Sequence, residues 1–178
     1  MNVFISGGCK NGKSYHAQRI AKEQSEQLKK PLYYIATMIP GDEEDRARIR
    51  RHISEREGWG FTTIEQGKNL TAILKDESVD KTGVFLLDSV TALLDNEMFD
   101  ANGNLDPQAA GRIKRDVLDF AEATGNTVFV SDYIYSDACR YSPTVEEYRK
   151  SLATIDRALA ACCGQVIEVA FGTQERWK

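Results

Sequence analysis

The sequence predicts an α/β fold, a three-layer sandwich with a mostly parallel central sheet, on two observations. Short apolar runs alternate with longer amphipathic segments along the chain, and the first run opens at once into a glycine-rich loop that leads into the first amphipathic segment. Parallel strands need crossover connections, usually helices, so this alternation implies a sheet covered on both faces. One core suffices for 178 residues, and a single domain over 1–178 is expected.

The strands come first. Val3 to Ser6, Leu32 to Ala36, Val84 to Leu87, Thr127 to Val130 and Gln165 to Ala170 are short, largely apolar runs bounded by turn or polar residues, the pattern of strands buried on both sides. Thr62 to Ile64, after Trp59 and Phe61, adds a candidate edge strand. Helices are expected over Lys13 to Lys29, Glu43 to Arg56, Val90 to Phe99, Pro107 to Ala123 and Thr144 to Cys163. The last has capping-box spacing between Thr144 and Glu147, and Asp100 to Asp106, rich in Asn, Asp and Gly, is a loop.

Composition narrows the function classes. A content of 42% hydrophobic and 28% charged residues suits a folded soluble domain rather than a disordered one. The net charge of −4 argues against a nucleic-acid partner, because phosphate backbones are bound through concentrated Lys and Arg. No run approaches the roughly 20 apolar residues of a membrane span, and Met1 to Ser6 lacks the flanks of a signal peptide, so a cytoplasmic location is expected. Cys9, Cys139, Cys162 and Cys163 fall in no metal-ligand spacing and read as reduced thiols.

Gly7-Gly8-Cys9-Lys10-Asn11-Gly12-Lys13-Ser14 satisfies the G-x-x-x-x-G-K-[ST] pattern between an apolar strand and an amphipathic helix. Its spacing has a mechanism. Glycines let backbone N–H groups wrap phosphate oxygens, the helix amino terminus adds positive potential, Lys13 reaches the outer phosphates and Ser14 can hold Mg²⁺. ATP or GTP is therefore the expected substrate, with Mg²⁺ as cofactor.

Asp88, at the end of Val84 to Leu87, is the metal-side candidate; taken alone it equally suits a cap for the helix beginning near Val90. Glu44, Arg48 and His52 stand at i, i+4 and i+8 and share a helix face. That stripe either brings an imidazole and arginine to phosphates or is a solvated surface. His16, one turn into the first helix, reads as a packing or orienting residue. Thr37, Asp88 and Ser131-Asp132 end parallel strands, where ligands of open sheets bind. Asp132 fits a metal or hydroxyl contact and an ordinary loop aspartate equally well.

At this point the chain resembles the bifunctional adenosylcobinamide kinase/adenosylcobinamide-phosphate guanylyltransferase family of cobalamin biosynthesis. The likeness runs through Gly7, Gly8, Ser14 and His16, then Tyr34-Ile35-Ala36-Thr37, Asp42-Glu43-Glu44, Arg48-Ile49, His52, Arg56, Trp59 and Glu65. It implies a RecA-like P-loop fold, a corrinoid partner substrate and a homo-oligomer of the trimeric kind. It implies also that His52 accepts GMP from GTP as a covalent intermediate, and it adds Thr37, Arg48 and Glu65 to the nucleotide-binding loop residues. Two reactions follow from the resemblance: phosphorylation of the aminopropanol hydroxyl of adenosylcobinamide, then transfer of GMP to that phosphate.

The second half departs from the family pattern. Ser131-Asp132-Tyr133-Ile134 stands where the family shows Asn-Glu-Val-Gly, and Tyr148-Arg149-Lys150 with Asp156-Arg157 where it shows Arg-Asp and Asn-Gln. A kinase for another small-molecule hydroxyl, or a nucleotide-dependent regulatory module, are the alternatives this leaves.

Overall fold

Val3–Gly7 forms β1, the loop after it runs into α1 (Lys13–Leu28), and β2 (Leu32–Ala36) follows. The computed structural model describes residues 1–100, 102–135 and 137–178, with all their side chains except those of Arg48, His52 and Glu55. Onward from β2 come α2 (Glu43–Glu55), β3 (Thr62–Glu65), a 3₁₀ turn (Leu70–Lys75), β4 (Val84–Asp88), α3 (Val90–Met98) and α4 (Ala109–Thr124). The chain finishes with β5 (Thr127–Asp132), α5 (Pro143–Cys162), β6 (Gln165–Ala170) and β7 (Thr173–Arg176).

The strands form one sheet in the order β3-β2-β4-β5-β1-β6-β7, parallel throughout except for β7, which folds back antiparallel on β6. Each strand's alternate residues serve opposite faces. Val3, Ile5, Val84, Leu86, Val128 and Val130 pack with Ala17 and Ala21 of α1. Phe4, Phe85, Leu87 and Phe129 face the other way, into a core closed by α3, α4 and α5. In α4, Ile113, Val117, Phe120 and Ala121 recur at helical spacing and are buried, while none of its charged residues is buried. The three layers predicted from alternation are the ones observed.

Three local expectations change. The last helix is capped by Ser142, whose hydroxyl accepts from the Val145 amide, and Pro143 takes the first turn; Thr144 therefore lies inside the helix and forms no capping box. The helix after β4 is capped by Ser89, whose hydroxyl accepts from Ala92, so Asp88 is not the cap and its carboxylate is left for other work. The third is β7, which the sequence reading did not contain. Its four residues are all exposed, so it has no apolar signal, and the turn before it uses Phe171 and Gly172 at φ +52° and +76°. Positive φ at both central residues is what a two-residue hairpin of right-handed twist requires.

Candidate active site

The carboxyl ends of β1, β4 and β5 bring the predicted residues together, because the sheet order sets β5 between the other two. Register fixes the level: Gly7 lies beside Asp132, and Asp88 beside Val130. The turn from β1 into α1 has no room for a side chain at Gly7, where a Cβ would meet the Val169 carbonyl, the Asn11 amide and, at 3.2 Å, the Lys13 chain. Gly12 has φ +92°, a left-handed angle that glycine adopts freely. Asn11 ties the loop to the sheet through a hydrogen bond to the Val169 carbonyl. Cys9 and Lys10 are exposed at its tip.

Lys13 is buried, and its ammonium donates to the Gly8 carbonyl and to Asp132 Oδ1, both at 2.6 Å. Its charge is thus held over the loop. Asp132 is the carboxylate whose role the sequence left open; it is fixed from behind by its own amide, which donates to Thr91 Oγ1.

Ser14 and Asp88 line one cavity of about 550 Å³, whose other walls include Tyr34, Arg46, Ile49, Arg50, Arg56 and Glu65. The cavity therefore spans from the loop to α2 and β3. Tyr34 donates its hydroxyl to Asp88 Oδ2 at 2.9 Å. The Arg56 guanidinium stacks 3.6 Å over the Tyr34 ring. Burial first, and then the nearby Asp88 carboxylate, push the Tyr34 hydroxyl well above its ordinary pKa, so it remains a donor. This network from the end of α2 through β2 to β4 was not legible as a contact: Tyr34 and Arg56 both fall within the family likeness, but they are distant in sequence and nothing in their spacing says that they stack or that Tyr34 reaches Asp88.

The remaining candidates separate. Glu65 lines the cavity from the end of β3. Thr37 is fully buried, and its hydroxyl accepts from the Ser89 amide at 2.7 Å and donates to the Ser89 carbonyl at 2.9 Å, so it braces the β4–α3 junction. The side chains of Arg48 and His52 lie outside the described residues; their backbone belongs to α2. Glu44 is exposed on the same helix.

Behind the loop, on the α5 side of the sheet, lies a buried carboxyl that sequence reasoning had not singled out as a site. Asp156 accepts from Ser131 Oγ at 3.1 Å and from the Tyr135 hydroxyl at 2.9 Å, both on Oδ2, while Oδ1 has no hydrogen-bond partner. Burial raises its pKa from an ordinary 3.8 to about 7.

Among the described residues no group of three or more His, Cys, Asp and Glu side chains is arranged to hold a metal ion. No helix among them is long and apolar enough to cross a membrane.

Comparison with known proteins follows the same lines. Two solved structures share the fold at low identity: the flagellar accessory protein FlaH of Methanocaldococcus jannaschii (TM-score 0.51, 17% identity, 99% of this chain and 77% of that one) and the ATPase domain of G40P (TM-score 0.52, 14%, 94% and 68%). Both are of the RecA-like kind that the resemblance implied. The bifunctional adenosylcobalamin biosynthesis protein CobU of Escherichia coli K12 is 34% identical over 108 residues, 60% of this chain and 55% of that protein. Its counterpart CobP from Pseudomonas aeruginosa is 28% identical over 173 residues, 97% of this chain and 94% of that protein. The chain spans little more than half the length of the CobU relatives it matches, at 55% and 56%. Residues 3–176 match the family described as cobinamide kinase / cobinamide phosphate guanyltransferase, and the chain belongs to that family.

Proposed function

We propose that this chain phosphorylates adenosylcobinamide with a nucleoside triphosphate and then transfers GMP from GTP to the product through a guanylyl-histidine at His52. One observation carries the reading. Ser14 of the phosphate loop, Asp88 of β4, and Arg46, Ile49 and Arg50 of the helix that bears His52 line a single cavity. Position 52 follows Ile49 by three residues and precedes Arg56 by four, both of them cavity residues, so helical spacing supports a place for it on the same face.

In the first reaction the corrinoid hydroxyl oxygen attacks the γ-phosphorus, the bond to the β-phosphate oxygen breaks, and the nucleoside diphosphate leaves. We assign the hydroxyl proton to Asp132, beside Lys13. Lys13 itself neutralises the outer phosphates. In the second reaction an imidazole nitrogen of His52 attacks the α-phosphorus of GTP, forming an N–P bond as pyrophosphate departs with the electron pair. The corrinoid phosphate oxygen then attacks that phosphorus, the N–P bond breaks, and the imidazole is regenerated. Arg46, Arg50 and Arg56 supply positive charge to this end of the cavity.

Mg²⁺ belongs to the proposal. Its donor set would be one hydroxyl, Ser14, and one carboxylate, Asp88, on the same cavity, an all-oxygen pair suited to an ion that is otherwise completed by phosphates and water. Bound there, it would neutralise the charge of the phosphate oxygens. The family likeness also supports a cytoplasmic homo-oligomer.

The test is incubation with Mg²⁺ and GTP labelled at the α-phosphate, followed by denaturation and peptide mapping. An acid-labile, base-stable label on His52 that adenosylcobinamide phosphate discharges is expected, and it should be absent from His52→Ala. Retained GTP binding with no label in the wild-type protein would sink the histidine step and leave a kinase.

A further inference from the structure

Phe171 occupies a position that its own chemistry disfavours. Its φ of +52° is a left-handed angle that bulky side chains avoid, and the same two-residue turn is ordinarily built from Asn, Asp and Gly. Its side chain is also fully exposed, at 101%. Other rings nearby are engaged: Tyr15 meets His16 and Trp59 edge to face at 5.8 and 5.9 Å, and Lys22 lies over Trp59. The ring of Phe171 stabilises neither the turn nor the core.

Its location relates it to the phosphate loop. Gly7 of β1 lies in register with Val169 of β6, so Phe171 stands two residues further on, level with the start of the loop. The hairpin is fastened there by side chains. Asn11 donates to the Val169 carbonyl, Gln174 donates to His16 Nδ1, and His16 Nε2 then carries the hydrogen that reaches the Gly172 carbonyl at 3.2 Å. His16, which the sequence marked as an orienting residue, thus holds the hairpin tip against the first turn of α1. A triphosphate on such a loop directs its outer phosphates to the lysine and its inner ones to the helix start. The nucleoside accordingly leaves the loop near His16.

We propose that Phe171 is the stacking platform for the base of the nucleoside triphosphate held by the phosphate loop, a role that rests on the loop reading above. The left-handed turn presents the ring outward, and a flat hydrophobic face accepts any nucleobase, which suits a loop serving both ATP and GTP.

The test compares MgATP, MgGTP and magnesium tripolyphosphate binding by calorimetry in the wild-type chain, Phe171→Asn and Phe171→Trp. Asn keeps the left-handed turn and removes the ring; Trp keeps a ring. Phe171→Asn should weaken both nucleotides by about tenfold and leave tripolyphosphate unchanged, with Phe171→Trp close to wild type. Unchanged nucleotide affinity in Phe171→Asn, with tripolyphosphate still bound, overturns the stacking role alone; a fall in its sedimentation mass alongside would assign Phe171 to contact with a second copy. A wild-type chain that binds no tripolyphosphate overturns the loop reading and this role with it.

Discussion

The ammonium of Lys13 and the carboxylate of Asp132 meet at 2.6 Å across the mouth of the phosphate loop, with Lys13 almost wholly buried and Asp132 28% exposed. The lysine that should serve the outer phosphates is engaged by the protein itself, and a nucleotide has to compete for it.

Asp132→Asn should therefore raise nucleotide affinity severalfold while lowering the stability of the free protein by roughly 1–2 kcal/mol, less than a fully buried pair because one partner reaches water. Thermal unfolding with and without nucleotide checks both at once. The nucleotide-induced rise in Tm should be larger in the variant than in the wild type.

Tyr34→Phe removes the donor that fixes Asp88 and keeps the ring under Arg56. Metal affinity depends on such supporting bonds, so the Mg²⁺ concentration that half-saturates its effect on nucleotide binding should rise by roughly tenfold. Folding stability should change by only about 1 kcal/mol. An unaltered Mg²⁺ dependence would show that Asp88 is not held for metal by Tyr34.

Asp156 makes stability depend on pH in the sense opposite to an ordinary ion-paired carboxylate. Its folded pKa, about 7, lies above the ordinary 3.8, so between those values the folded state binds more protons than the unfolded one. Its contribution to stability is therefore present below the lower value, declines as pH rises through the window, and is lost above about 7. Urea unfolding at pH 5 and pH 8 should differ by a few kcal/mol from this group, as an order of magnitude. Asp156→Asn should flatten that slope and stabilise the chain at pH 8.

Gly7→Ala should place a methyl group against the Val169 carbonyl and the Asn11 amide, neither of which can move without disturbing β6 or the loop. A loss of roughly 1–3 kcal/mol is expected, with nucleotide binding reduced more than global stability accounts for. Denaturant titration and calorimetry on the same preparation separate the two.

The chain made the interior easy to read and the rim hard. Val84 to Leu87 and Leu32 to Ala36 announce themselves because both their faces are covered, so nearly every residue is apolar. β7 has exposed residues throughout and becomes a strand only because β6 offers it a ladder. The 3₁₀ turn Leu70–Lys75 is too short for a period to show, although Leu70 and Ile73 anchor it in the core. At the site, Gly7 to Ser14 carry their chemistry in their spacing. Arg56 over Tyr34, and Asp156 beneath Ser131, depend on register and packing between elements far apart in sequence.

The sheet order also sets a timetable for synthesis. β1 precedes every other element, yet its two neighbours are β5 and β6, more than 120 residues downstream, so the nucleotide loop is translated early and braced late. A nascent chain that stops short of Gln165 lacks one flank of β1 and the carbonyl that Asn11 grips. Acquisition of nucleotide affinity during translation should accordingly coincide with emergence of β6 from the ribosome, which makes the bound nucleotide a marker that β1 has gained both its neighbours.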